Sequence, residues 1–311
     1  ADCQLTVTEI DRQTRQPVKV QRGINLFHAP TGEALAKFLT AYAAHCKAAW
    51  PKAVEGVYVE GEQRELEAPA DESPAMDAYW RRWSKTDSPW RTPEAIAAAE
   101  PRDEPAVVRA EMCREQWLAD YVSAVRAALK AGAPDLPVCN ETLSDDFHRM
   151  HGSAVGRSRD LWRLADLADH PGSATDSPAS FTLLRSFARG RWLWQLGIHS
   201  GCGTTGGAAS VQPAYYDAVR VTAGPPMWGI RNFFPSAWHR YADRQIGDFG
   251  IGSYYLTPRR TAEFAPVLLN TAAAPVEVAV LWSQATLRRD GSRQLWRAAL
   301  GCGHMLRRAF V

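Results

Sequence analysis

Two rhythms of apolar and polar positions alternate along the chain. Behind Thr31-Gly32-Glu33, Leu35, Phe38, Leu39 and Tyr42 recur at helical spacing from Ala34 to Trp50, and Pro51 stops the run. The β-branched and aromatic stretch Val57-Tyr58-Val59 follows, a strand that runs into the carboxylates Glu60 and Glu62. A second helix is predicted from Pro105 to Lys130, with Val108, Met112, Trp117, Leu118, Tyr121, Val125 and Leu129 on one face and Gly132 as its stop. Further on, Pro137 to Glu141 reads as a strand, Leu161 to Ala168 as a weaker strand or the entry to one, and Phe181 to Arg189 as a short basic helix. Arg191 to Leu196 reads as a strong strand, Gln212 to Thr222 as a helix, and Met227 to Arg231 as a strand entering the aromatic segment Asn232 to Trp238.

Strands that alternate with helices in this way predict an α/β fold in which helices cover a parallel sheet. Five strands are expected, with a (β/α)8-barrel-like arrangement. The flanking regions read differently. Leu5 to Glu9 is a possible strand and Pro17 to Phe27 an extended piece, with no βα unit between them. Glu67 to Glu104 is rich in Pro, Asp, Ser and Trp and reads as a long irregular insertion, a kind of segment that is usually functional. Near Pro275 the pattern restarts with the β run Val276 to Trp282 and the helical Arg293 to Leu300. The expected organisation is a partial barrel over residues 1–270 and the start of a second α/β domain over 275–311. Barrels of this class present catalytic groups at the C-terminal ends of their strands, which makes Glu62 a candidate acid.

Composition narrows the functional classes. The 311 residues are 46% hydrophobic and 23% charged, as in a globular protein. A net charge of +2, from 36 basic and 34 acidic residues, gives no field that would gather nucleic acid. Six cysteines, at 3, 46, 113, 139, 202 and 302, show neither C-x-x-C spacing nor a disulfide framework, so reduced thiols, no metal and a cytoplasmic setting are expected. No apolar run is long enough to span a membrane, and the first residues lack the pattern of a secretion signal.

Candidate chemistry sits at the strand ends. Asn140-Glu141 closes one predicted strand and Gln195 closes another, with His199 four residues beyond Gln195. Trp228, Phe233 and Trp238 form a candidate platform for stacking against a sugar ring. His148 and His151 lie one helical turn apart and have no third ligand nearby. Gly201 to Gly207 matches neither a dinucleotide fingerprint nor a phosphate loop, so no cofactor is expected, although anion or nucleotide binding by that loop stays open as an alternative. No Gly-x-Ser-x-Gly elbow is present.

The strand ending at Glu62, the loop through Ser88-Pro89-Trp90, Asp145-Asp146-Phe147-His148, the strand Arg191 to Leu196 and the restart at Val276 to Ser283 together resemble glycoside hydrolase family 42. The resemblance covers roughly residues 20–311. It implies a β-galactosidase-type (β/α)8 barrel, of which strands four to eight are identifiable here, followed by a flavodoxin-like trimerisation domain. It also implies a carbohydrate ligand and either a homo-oligomer, a trimer in the family, or a partner chain that completes the barrel. Matched by position, Glu62 takes the acid/base place, with Gly61 where the family has asparagine, and Gln195 takes the nucleophile place. Glu141, after Asn140, is the alternative carboxylate.

Retaining hydrolysis needs one carboxylic acid and one carboxylate about 5 to 5.5 Å apart. An amide cannot form the glycosyl ester. The resemblance therefore implies either a hydrolase of β-galactoside-type sugars or a non-catalytic sugar-binding or assembly subunit, with Gln195 a natural loss or a deliberate exchange.

Overall fold

A computed structural model describes residues 5–10, 17–22, 28–52, 56–59, 74–100, 104–143, 160–173, 184–189, 191, 193–196 and 230–234, together with positions 281, 283, 285, 288, 298, 302 and 305. Its centre is a five-stranded sheet in which β3 (Val57–Val59), β4 (Val138–Leu143), β5 (His170–Ser173), β6 (Leu193–Leu196) and β7 (Ile230–Phe234) lie side by side in chain order. All four pairings are parallel. Parallel neighbours require a crossover, and here each one advances by a single strand in the same direction. Before the sheet, β1 (Leu5–Ile10) and β2 (Pro17–Arg22) form a separate antiparallel hairpin.

Helix α1 (Ala29–Ala49) leads toward β3, and α4 (Glu104–Gly132) connects β3 to β4. They pack on each other and on the first two strands, where Ala43, Val59, Val125, Leu129, Ala133, Leu136 and Val138 form one core. The helices approach very closely. Thr40 Oγ1 donates to the Ala128 carbonyl at 2.9 Å, and a Cβ added at Gly132 would lie 2.0 Å from the Thr40 carbonyl oxygen.

At 29 residues, α4 is about 43 Å long and far outreaches a three-residue strand. Its N-terminal half is covered by α2 (Pro74–Ser84) and α3 (Pro93–Ala99), so the stretch predicted to be an irregular insertion holds two helices. The reason is local. Thr92 caps α3 through Ala95 N–H, Pro93 opens it, and Met76, Tyr79, Trp80, Trp90 and Ile96 make an apolar face against Ala110, Cys113, Trp117 and Leu118 of α4. Asp77 holds the turn by accepting from Trp90 N–H at 2.6 Å and from Arg81 at 2.8 Å.

Two further expectations are corrected. Leu161 to Ala168 is not a strand: Leu161–Asp166 is helix α5, capped by Asp160 accepting from Arg163 N–H, with Leu161, Leu164 and Ala165 buried at helical spacing. The strand of this unit is the next tetrapeptide, His-Pro-Gly-Ser. On α4, Met112 is exposed, while Glu111, Arg114 and Glu115 are almost fully buried. Glu111 and Arg114 face each other at 3.7 Å, and Glu115 receives Arg288 in a two-pronged bond from 173 residues away.

The predicted strands at 57, 137 and 191 and the two long helices are present, with helix ends shifted by one to five residues. The last strand lies three residues later than predicted, which takes Asn232, Phe233 and Phe234 into the sheet. The predicted helix Gln212 to Thr222, the domain restart over 276–280 and the segments that carry His148 and His151 lie outside the described residues.

Candidate functional site

In a parallel sheet every strand ends at the same edge, so the chemistry of this chain converges there. At the opposite edge the strand starts are tied down. Asp169 accepts from Val138 N–H at 2.8 Å, from Arg126 at 2.6 Å and from Lys130 at 2.8 Å, while its own N–H donates to the Val138 carbonyl. Burial alone would raise the Asp169 carboxyl, but Lys130, the Val138 amide and Arg126 hold it down at about 2. The clamp joins α4, β4 and β5. It fixes the level from which the strand ends are counted.

On β4, Asn140 is buried to 1% exposure, and its Nδ2 donates to the Leu164 carbonyl of α5 at 2.7 Å. Its register partner on β3 is Val59, which belongs to the core under α1 and α4. Position 140 therefore lies on the helix-covered face, and position 141 on the other. Between Glu141 and Leu143 the β4–β5 register shifts, a bulge at the strand end of the kind that re-aims side chains beside functional sites.

Following the register across the sheet gives two rows. Glu141 pairs with Gly172, Gly172 with Trp194, and Trp194 with Asn232. One step on, Leu143 pairs with Ser173, Ser173 with Gln195, and Gln195 with Phe233. Glu141 and Gln195 thus share the same sheet edge and stand two strands apart, about 10 Å at the usual spacing. They occupy successive rows, and the register shift between Glu141 and Leu143 falls between the two. Phe233 stands beside Gln195 in register. Gly61, Glu62, His199, the loop Gly201 to Gly207, Trp228 and Trp238 lie outside the described residues.

Three features at or near this edge escape a reading of the pattern. The strand His170–Ser173 contains proline and glycine, both depleted in strands, so no β signal marks it. Trp194 reads only as part of an apolar run. Asn140 carries a signal as half of an Asn-Glu dipeptide, but its hydrogen bond to α5 needs the tertiary fold. Among the described residues no group of three or more His, Cys, Asp or Glu could hold a metal ion. Burial pushes the Cys113 thiol up to about 12 and raises that of Cys139 as well, so neither is a nucleophile.

No protein-family model matches the chain, and no curated protein matches its sequence. Its fold does match solved structures. It superposes on the β-galactosidase of the psychrophilic Marinomonas ef1 with a TM-score of 0.54 and 10% identity, over 80% of this chain and 46% of that one. The β-galactosidase of Rahnella sp. R3 matches with a TM-score of 0.50 and 14% identity, over 91% of this chain and 49% of that one. The chain therefore spans about half the length of these structures, and what it shares with them is a glycoside hydrolase-like fold.

Proposed function

We propose that the chain is a glycoside hydrolase-like domain that binds β-galactoside-type sugars at the C-terminal edge of a barrel-type sheet without hydrolysing them. The observation that carries the reading is the chain-order parallel sheet, with Asn140-Glu141 ending β4 and Gln195 ending β6. That order is the one an (β/α)8 barrel repeats, and its strand ends are where such folds place their ligands. The fold likeness to two β-galactosidases supports the same reading.

Hydrolysis is the part of the reading that fails on chemistry. A retaining mechanism needs a carboxylate to attack the anomeric carbon opposite the acid, and β6 offers an amide at position 195, in the row next to that of Glu141. An amide can hydrogen-bond a sugar hydroxyl. It cannot offset oxocarbenium charge. In this reading Glu62 and Glu141 act as acceptors for sugar hydroxyls, His199 and the platform of Trp228, Phe233 and Trp238 line the cleft, and residues 275–311 begin an assembly domain.

Incubation with an aryl β-galactoside, together with calorimetric titration of methyl β-galactoside, tests this. The expected result is binding without release of the aryl group for the natural chain; release by Gln195→Glu alone would identify position 195 as a lost nucleophile. Turnover by the natural chain would make the domain a hydrolase, and absence of any sugar binding would remove the carbohydrate reading.

A further inference from the structure

We infer that the outward face of α1 is the contact through which two copies of this chain pair, helix against antiparallel helix about a two-fold axis. The inference goes beyond the carbohydrate reading and stands whether or not the chain binds a sugar. Of the 21 residues of α1 only Ala43 and Cys46 are buried, against twelve of the 29 in α4. Yet Glu33, Lys37 and Lys47 are its only acidic or basic residues besides His45. So little charge on a long helix fits one that is covered on both sides. The uncovered side is aromatic: Phe38 is 61%, Tyr42 48% and Trp50 52% exposed, and His45 is exposed with them. Phe38 and Tyr42 stack at 5.8 Å, and the His45 and Trp50 rings meet edge to face at the same separation. Around the helix, Ala34, Phe38, Ala41, Tyr42, His45 and Ala49 fall within one stripe about 100° wide. The stripe cannot turn inward, because Thr40 Oγ1 donates to the Ala128 carbonyl and Gly132 lies directly against the α1 backbone, which fixes the rotation of the helix.

A second copy of the same stripe is the occupant that fits it. In a two-fold contact the same patch serves both subunits, so each position must suit its counterpart. With the axis between positions 41 and 42, an antiparallel pair sets 34 against 49, 38 against 45 and 41 against 42. Alanine then meets alanine at the ends, ring meets ring between Phe38 and His45, and Ala41 leaves room for Tyr42. Glu33, Lys37 and Lys47 lie outside the stripe, so no like charges are brought together. A parallel pair would set ring on identical ring and alanine on identical alanine, and it would align the two helix dipoles instead of opposing them. The three exposed aromatic side chains leave roughly 300 Å² uncovered. The alanines and His45 bring the stripe near the about 600 Å² per partner at which specific interfaces begin. A contact of that size makes a reversible dimer.

Analytical ultracentrifugation over a micromolar to near-millimolar range tests this on the natural chain, Phe38→Glu, Ala41→Glu and Met112→Glu, with circular dichroism recorded for each. All three positions are exposed, so the fold should survive the substitutions. The natural chain should sediment as a monomer–dimer equilibrium. Phe38→Glu and Ala41→Glu should weaken the dimer at least about 100-fold, because the two-fold axis brings each carboxylate in twice. Met112→Glu, which removes an exposed apolar side chain from α4, should stay within about twofold of the natural chain. As a second readout, Ala41→Cys in a Cys302→Ser chain, which lacks the exposed native thiol, should form a disulfide-linked dimer on oxidation with copper phenanthroline. A natural chain that stays monomeric, a trimer, a dimer that keeps its strength in both Phe38→Glu and Ala41→Glu, or an Ala41→Cys chain that does not cross-link overturns the inference. In the monomer case maleimide labelling of Ala41→Cys tells what replaces it: slow labelling means that another segment of the same chain covers the face, and fast labelling that the face is bare.

Discussion

Adding one methyl group at Gly132 should unfasten the two long helices. A Cβ there would meet the Thr40 carbonyl oxygen at 2.0 Å, its carbon at 2.9 Å and the Ala44 nitrogen at 3.1 Å. All three are backbone atoms of α1, so no side chain can swing aside. Ordinary contact begins near 3.4 Å, and the backbones would have to part by about 1.4 Å at that point. The interface that opens contains Ala43 and Leu129, both almost fully buried, and the bond from Thr40 Oγ1 to the Ala128 carbonyl. Overpacking of this kind costs about 3 kcal/mol, the lost hydrogen bond adds about 1, and the better helix propensity of alanine returns at most about 1. Gly132→Ala should therefore destabilise by about 3 kcal/mol, read as a lower midpoint in urea with an unchanged slope. Thr40→Val, which replaces the hydroxyl by a methyl group and so removes the bond to the Ala128 carbonyl, should cost about 1 kcal/mol. A Gly132→Ala protein within about 0.5 kcal/mol of the natural chain would refute the close helix contact.

Three other outcomes follow from the described contacts. Asp169, with a pKa lowered from 3.8 to about 2, contributes about 2 kcal/mol of stability that is present above pH 4 and lost as pH falls toward 2, so urea unfolding of Asp169→Asn at pH 7 and pH 3 should show a smaller acid loss than the natural chain. Lys85 ends α2 with φ 57, a conformation that glycine adopts without strain, and Lys85→Gly should raise stability by about 0.5 to 1 kcal/mol in thermal melts. Glu115→Met should cost about 3 kcal/mol by leaving the Arg288 guanidinium, among the described residues, with Asp160 at 3.9 Å and the charge of Glu111, and adding Arg288→Met should recover most of that loss; a double variant as unstable as the single one would contradict the account of a buried pair.

The candidate site was readable in part. A terminal Asn-Glu dipeptide and a glutamine closing a strong strand are visible as residue types at strand ends, and the structure places the backbone of both at one edge of the sheet. Which positions share a face was hidden, because a row depends on the pairing of three strands and on bulges at Glu141–Leu143 and Leu193–Trp194. A shift of one residue exchanges the faces. Counting along each strand separately cannot supply that.

For the elements the division is similar. Periodicity and punctuation carried α1, α4, β3, β4 and β6, since long amphipathic runs and β-branched clusters between proline and glycine state their own conformation. They also carried the α/β class, which follows from alternation alone. Proximity of chain segments decided the rest. His-Pro-Gly-Ser becomes a strand because β4 and β6 offer hydrogen bonds on both sides, and Leu161–Asp166 becomes a helix because its apolar residues and its Asp160 cap fit against α4 and β4. Nothing in the pattern marks Glu111, Arg114 and Glu115 as buried; Arg288 and the packing around α4 enclose them. Local pattern reports what a segment prefers in isolation. Burial and strand partners, which set the pairing of Gly172 with both Glu141 and Trp194, exist only once distant segments meet.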